Sequence, residues 1–276
     1  MHKAHWDGKK EYEKFWAGRK KYPVSETNNP KPKKRGPWAI LIVAIVIIIG
    51  AAAFFLPEKR PEAIDSTYSQ GIDDRNTSAI PEYSGEDYIV LNNNVPNFSE
   101  KDMELPPCEE YSDLDSLGRC GPAFAVLTRS MMPTEEREGI GQIKPSGWNQ
   151  NKYEGVVDST PPYLYNRCHL IAYALAGENA NEKNLITGTR YFNATAMLPF
   201  EIMVMEYLDN SDNRVLYRVS PYFKDDELLA RGVEIEAYSV EDNGEGVCFH
   251  VFVYNHQPGI YIDYATGQNR LATENE

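Results

Sequence analysis

The stretch YLYNRCHL, residues 163–170, places an arginine, a cysteine and a histidine inside an otherwise apolar run. Two prolines stand directly before it and the polar loop 177–184 follows it, so we predict a strand over residues 163–169. Side chains alternate along a strand, so Arg167 and His169 share one face while Cys168 points to the other. The strand therefore presents a cation and a base side by side.

This alternation disfavours a Cys168–His169 nucleophile pair, because such a pair needs the sulfur and the imidazole within hydrogen-bond reach. A zinc site is also disfavoured, since no C-x-x-C or H-x-x-x-H spacing occurs and the cysteines are scattered. An arginine beside a neutral histidine suits an anionic substrate instead. The arginine neutralises a phosphate while the histidine takes a proton from water.

Two other histidines follow residue 169. His250 lies in a predicted strand, 247–254, where it shares a face with Cys248 and Phe252, so we expect a packed sheet histidine. His256 lies in a turn-like segment with no acidic residue near it in the sequence. We expect a structural role for both.

The elements around the stretch predict an α+β domain with a mostly antiparallel sheet. A turn enters a strand within residues 120–128, and a helix is expected over 199–209, with a proline in its first turn. Further strands are expected over residues 215–220, 233–239 and 247–254. Residues 58–104 are polar and poor in apolar clusters, which predicts a linker that contains one short strand near residues 88–91.

The charge distribution divides the chain at an apolar run. Residues 1–36 hold 11 Lys/Arg against 4 Asp/Glu, a net +7, whereas the chain after residue 56 holds 17 against 37, a net −20. Residues 38–56 between them carry no charge and, as a helix, would extend about 28 Å, close to the hydrocarbon thickness of a bilayer. A cleaved signal peptide is the alternative, but a preceding region of 36 residues is long for one.

These features predict four regions: a basic tail (1–36), a transmembrane helix (37–57), a linker (58–104) and a globular domain (105–276). The excess of positive charge before the span places the tail in the cytoplasm and the domain outside the cell. An oxidising exterior permits disulfides among Cys108, Cys120, Cys168 and Cys248. The proximity of the first two favours pairing between them, and reduced core thiols are an equal alternative.

The segments Asn166-Arg167-Cys168-His169-Leu170 and Asn184 to Asn193, nine residues apart at their ends, resemble the DNA/RNA non-specific endonucleases of the ββα-metal (His-Me finger) class. The likeness extends over residues 105–267 and includes the segments 118–121, 144–148 and 257–264. It is strongest to the streptodornase and DNA-entry nuclease types. The family carries a strand that ends in histidine, then a loop asparagine, then a second asparagine nine residues further on.

The resemblance implies a role for each matching residue. His169 would be the general base that activates water, and Asn193 would be the direct protein ligand of Mg²⁺, or of Mn²⁺ as an alternative. Arg167 would add a cation to the developing charge, Asn184 would orient the site, and Glu201 would hold a metal-bound water. The substrate would be DNA, and RNA as a second possibility.

Two departures from the family pattern stand out. Asn166 replaces an aspartate common in the family, and Cys168 replaces a common glycine; we expect Cys168 to pack on the opposite face, or to pair with Cys248. The net −20 also suits polyanionic DNA poorly. Either binding is weak and salt-dependent, or local cations form a channel: Arg129, Lys144, Lys152, Arg167, Lys183 and Arg190.

The sequence thus predicts a single-pass membrane protein with an extracellular metal-dependent nuclease, and DNA-uptake machinery as one candidate partner. Two alternatives remain open. The domain could be a non-catalytic nucleic-acid receptor on the same fold, which would bind DNA without turnover. It could also be a surface interaction protein, for which the metal and Asn193 would have no importance.

Overall fold

The computed structural model describes residues 80–273, in which short β-rich segments alternate with three α-helices. The strands are β1 (Tyr88–Val90), β2 (Cys108–Tyr111), β3 (Ala123–Leu127), β4 (Tyr165–His169), β5 (Leu185–Thr189), β6 (Val215–Tyr222), β7 (Gly232–Ser239), β8 (Cys248–Tyr254), β9 (Ile260–Ile262) and β10 (Asn269–Leu271). The helices are α1 (Glu100–Met103), α2 (Tyr173–Ala176) and α3 (Leu198–Asn210), with a π-helical turn at Phe192–Ala196 just before α3.

Six of the strands form one antiparallel sheet in the order β1-β8-β7-β6-β3-β2. The long strands β6, β7 and β8 are its centre, and their β-branched and aromatic residues are almost all buried. The predicted antiparallel sheet and its three long strands are therefore confirmed, in a mixed α/β fold.

The two faces of this sheet are covered differently. On one face, Phe124 and Leu216 pack under Phe98 and Met103 from the segment that carries α1. On the other face, α3 packs through Phe200, whose ring centroid lies 5.3 Å from that of Phe249 on β8. The predicted helix 199–209 is confirmed, with Pro199 in its first turn as expected for a residue without an N–H.

A separate hairpin, β4–β5, leads into the π-helical turn and α3, which gives a β-β-α unit. Gly188 on β5 allows close packing there, since an added Cβ would come within 2.8 Å of both Cys168 and the Phe192 ring. The Cys168 sulfur lies 3.7 Å from the Met197 sulfur, so the hairpin and the start of α3 are in direct contact.

The structure differs from the sequence predictions in several places. Strand β1 pairs with β8, so the folded body begins ahead of residue 105. Strand β5 had no counterpart in the predictions. Neither expected disulfide forms: the four cysteines of the described residues are free, with Cys168 buried and Cys248 exposed.

The N-terminal tail and the predicted membrane span, residues 37–57, lie outside the described residues. Within residues 80–273, none of the helices combines the length and the apolar character that a membrane crossing requires.

Candidate active site

His169 is the last residue of β4 and is 6% exposed. Its Nε2 lies 2.9 Å from the backbone carbonyl oxygen of Asn179. A carbonyl only accepts hydrogen bonds, so Nε2 carries the proton and Nδ1 keeps the lone pair. The second nitrogen of the ring is thereby prepared to accept a proton.

Burial, and to a smaller extent the positive charge of Arg137, lower the pKa of His169 to about 4, whereas the hydrogen bond to Asn179 opposes the shift. The imidazole is therefore neutral at physiological pH. A neutral imidazole is the form that can act as a base.

Asn184 is fully buried at the end of the loop before β5. Its side-chain oxygen accepts from the Ile171 N–H at 2.8 Å, and its side-chain nitrogen donates to the Ile171 carbonyl at 3.0 Å. The Leu170 N–H also donates to the Asn184 carbonyl at 2.9 Å. These three bonds hold the backbone directly after His169.

Asn193 lies in the π-helical turn, where the Met197 N–H bonds to the Phe192 carbonyl at 2.9 Å. The Thr189 hydroxyl at the end of β5 accepts the Phe192 N–H at 3.0 Å and so starts this turn. The Asn193 side chain is half-buried and, within residues 80–273, makes no hydrogen bond. π-helical turns are common at functional sites, and this one presents an unengaged amide oxygen.

Glu201 lies in the first turn of α3. Burial raises the pKa of this carboxyl to about 8, and the charge of Arg137 opposes the shift only in part. A carboxyl in this state lacks enough positive charge around it. A bound cation would supply that charge and lower the pKa.

Arg137 is a member of the site that the sequence did not single out. Its Nε donates to the Asn179 side-chain oxygen at 3.1 Å, while the carbonyl of the same asparagine binds His169. Its charge acts on both His169 and Glu201. In the sequence it stands among glutamates in an irregular loop, without periodicity or a motif that would mark it.

Arg167, which we expected to add a cation at the site, contacts the loop 139–148 in the structure. Its Nε donates to the Ile143 carbonyl, its Nη2 donates to the Gly141 carbonyl at 2.6 Å, and its guanidinium lies 4.3 Å over the Trp148 ring. These contacts attach the loop 139–148 to β4. Its hydrogen bonds to carbonyl oxygens thus give Arg167 a role in holding this loop.

Cys168 lies on the opposite face from Arg167, as the strand alternation predicted. It packs against Met197, and burial raises the pKa of its thiol well above the usual range. A thiol in this state is a poor nucleophile.

A second group of potential metal ligands, Glu234, Glu236 and His250, lies on the central sheet. The His250 Nε2 binds Glu234 at 2.5 Å, and Arg218 forms an ion pair with Glu236 at 2.5 Å. This group carries its own cation and lies on the strands β7 and β8, outside the β-β-α unit. The expected packed role of His250 agrees with these contacts.

The family model of the DNA/RNA non-specific endonucleases matches residues 98–241, which is more than half of the chain, so the chain belongs to this family. The family predicted from the residues around His169 is thereby confirmed.

Individual relatives agree with this assignment. A deoxyribonuclease of Streptococcus dysgalactiae subsp. equisimilis is 27% identical over 197 residues, and the match covers 57% of this chain and 59% of the relative. The chain thus spans about three fifths of that relative's length.

Solved structures of nucleases share the fold. NucA from Streptococcus agalactiae with magnesium bound matches at 27% identity and a TM-score of 0.60, covering 70% of this chain and 91% of that one. The metal-free form of NucA matches at 27% identity with a TM-score of 0.59, over 71% and 92%. The Sda1 nuclease with zinc bound matches at 27% identity and a TM-score of 0.50, over 60% and 82%.

The lowered pKa of His169 makes a prediction for stability. Between the pKa of about 6.5 in the unfolded chain and about 4 in the folded protein, only the unfolded chain takes up a proton on this residue. Its contribution to stability is therefore complete above pH 6.5 and is lost as the pH falls, by about 1.4 kcal/mol per pH unit.

Urea unfolding at several values between pH 5 and 7 measures this slope. We expect the slope to be smaller in His169→Gln than in wild type by about 1.4 kcal/mol per pH unit, which corresponds to one proton. Equal slopes in the two proteins would show that His169 titrates normally in the folded state.

Proposed function

We propose that this protein is a membrane-anchored extracellular endonuclease that hydrolyses DNA, and RNA as a second substrate, without sequence specificity and with a bound divalent metal. The observation that carries the proposal is the arrangement around β4 and α3. His169 is buried and neutral, and its Nδ1 is available. The same β-β-α unit carries Asn193, whose side-chain amide makes no hydrogen bond to the described residues, and Glu201, whose carboxyl has a pKa raised by burial. This combination provides a base and a cation site for phosphodiester hydrolysis.

The residues present fit a divalent metal. Asn193 would hold it directly through its amide oxygen, and Glu201 would hold it through a water molecule. Oxygen donors suit hard cations such as Mg²⁺, which keeps several waters in its coordination shell. When bound, the metal supplies a Lewis acid that neutralises charge on the phosphodiester and on the leaving 3′ oxygen. Mg²⁺ is the first candidate and Mn²⁺ the second.

The chain's own residues perform the remaining tasks. His169 takes a proton from water at Nδ1, and the oxygen of this water attacks phosphorus so that the 3′ oxygen leaves and the product keeps a 5′-phosphate. Asn179 and Asn184 hold the imidazole and the backbone after it in place. Arg137 adds a fixed cation at this site, which stabilises the negative charge that develops on the phosphate. Arg167 holds the loop 139–148 against β4.

The substrate class rests on the family and on the relatives, one of which is named a deoxyribonuclease. The acidic chain gives DNA little general attraction, and Lys183 is paired with Asp113 at 2.6 Å. Much of the positive charge at the site therefore comes from Arg137 and the metal. Binding would be weak and strongly dependent on salt.

The anchored location rests on the sequence. The uncharged run 38–56 follows a basic tail and precedes the acidic part of the chain, which is the charge order of a cytoplasm-in anchor. A nuclease held at the outer surface in this way would meet extracellular DNA, and DNA-uptake machinery is a candidate partner. Protease treatment of intact cells, with detection of the C-terminal domain, tests this orientation.

Digestion of supercoiled plasmid by the purified full-length chain tests the proposed activity. We expect cleavage at many sequences in the presence of Mg²⁺, and none after addition of EDTA. Fragments should carry 5′-phosphates, which a ligase detects directly. Binding of DNA without turnover across Mg²⁺, Mn²⁺ and Zn²⁺ would favour the receptor alternative instead.

A further inference from the structure

Residues 80–87, which we call the strap, lie directly before β1, and their Asp87 contacts Tyr191 at the start of the π-helical turn that carries Asn193. At its start, Glu82 pairs with Arg231 at 3.0 Å. At its end, the Asp87 carbonyl accepts the Tyr254 N–H at 2.9 Å, which extends the pairing of β1 with β8. The backbone of Asp87 is therefore held by the central sheet.

The Asp87 carboxylate joins two parts of the chain that are distant in sequence. Its Oδ1 accepts from His256 Nε2 at 2.9 Å, and its Oδ2 accepts from the Tyr191 hydroxyl at 3.0 Å. The Tyr83 ring stacks on His256 with 4.3 Å between centroids. His256, for which the sequence predicted no acidic partner, thus has one from the strap.

Tyr191 directly precedes the π-helical turn and stands two residues before Asn193. Its backbone N–H donates to the Gln257 side-chain oxygen at 3.0 Å, next to His256. The residue is therefore held at its N–H by Gln257 and at its hydroxyl by Asp87. Both contacts fix where the turn begins, and hence where the Asn193 side chain lies.

We propose that Asp87 is a positioning residue for the metal site: through the Tyr191 hydroxyl it holds the start of the turn that carries Asn193. The inference rests on the proposed function, because it assigns the metal to Asn193. It adds that the metal site is complete only when the strap is docked.

A charge effect is the competing explanation, since any nearby carboxylate attracts a cation. Variants of the full-length chain distinguish this charge effect from positioning through the Tyr191 hydroxyl. Tyr191→Phe keeps the charge and removes the hydrogen bond, whereas Asp87→Asn removes the charge and keeps groups that can bond to both His256 and Tyr191. Asp87→Ala removes both.

Mn²⁺ binding to each purified protein, measured by calorimetry, is the readout, with the unfolding midpoint as a check on folding. We expect Tyr191→Phe and Asp87→Ala to weaken Mn²⁺ binding about tenfold, the lower end for groups that orient a metal ligand, and Asp87→Asn to remain near wild type. The double variant Asp87→Ala/Tyr191→Phe should be no weaker than the weaker single variant, because both remove one contact.

Tyr254→Phe is the matched control, since its hydroxyl donates to the Pro81 carbonyl of the strap without touching Tyr191. Mn²⁺ affinity that is unchanged in Tyr191→Phe would overturn the inference, as would weakening in Asp87→Asn equal to that in Asp87→Ala. If wild type binds Mn²⁺ and cleaves DNA, such a result leaves the proposed function standing. If wild type does neither, the proposed function itself fails.

Discussion

Replacement of His169 by alanine should lower kcat for plasmid cleavage by about 10²- to 10⁴-fold, the range that a positioned general base contributes. The neutral imidazole, whose Nε2 donates to the Asn179 carbonyl, is the proposed proton acceptor at the site. Removal of the imidazole leaves Asn193, Glu201 and Arg137 in place. Mn²⁺ affinity should therefore change little while turnover is lost.

Added imidazole should restore part of the activity of the His169→Ala protein, because a base from solution can occupy the space that the side chain leaves. His250→Gln is the matched control: this histidine is also buried, but it binds Glu234 on the central sheet. Wild-type turnover in the His169→Ala protein would show that another group accepts the proton. Equal losses in both variants would indicate damage to the fold.

Replacement of Asn193 by alanine should weaken Mn²⁺ binding by at least about 100-fold, since even groups that only orient a ligand contribute roughly 10- to 100-fold. The amide oxygen is the proposed direct protein ligand, and within the described part of the chain nothing else engages it. Activity should fall with metal occupancy and return in part at high metal concentration. Calorimetry and plasmid cleavage over a Mn²⁺ series measure both effects.

Asn193→Asp should retain binding, because a carboxylate oxygen also suits a hard cation. Asn210→Ala, at the end of the following helix α3, is the control; its side chain is exposed and bonds only to the Glu206 carbonyl, among described contacts. Unchanged metal affinity in Asn193→Ala would show that another residue is the direct ligand, and Glu201 would be the first candidate. Glu201 would then bind the metal directly and not through a water molecule.

Local patterns were sufficient for much of the fold. The long strands β6 to β8 and helix α3 were predictable because they are built from runs whose periodicity shows in sequence. Strand β5 was missed, since Leu185 to Thr189 contains a glycine and two threonines and gives no clear alternation. β1 was foreseen as a strand, but its pairing with β8 was not, because the partner lies more than 160 residues away.

Some residues of the candidate site were likewise predictable from the sequence, and others were not. His169, Asn184, Asn193 and Glu201 could be named from a family resemblance, and Cys168 could be set aside by strand alternation alone. Arg137 and Asp87 could not be found, because each acts on groups that are far away along the chain: Arg137 on His169 and Glu201, Asp87 on Tyr191 and His256. Charge and hydrogen bonding depend on distance in space, and only the folded chain supplies those distances.

The amino-acid sequence was enough to indicate the family and the candidate residues, through its resemblance to known members, and side-chain alternation within one strand set Cys168 apart from Arg167 and His169. The tertiary structure decided the protonation state of His169, the contacts of Arg167 with the loop 139–148, and the position of Arg137 near His169 and Glu201. Each of these depends on burial and on contacts between segments that the fold brings together. A pKa and a hydrogen-bond partner are properties of an environment, and in this protein that environment comes from distant parts of the chain.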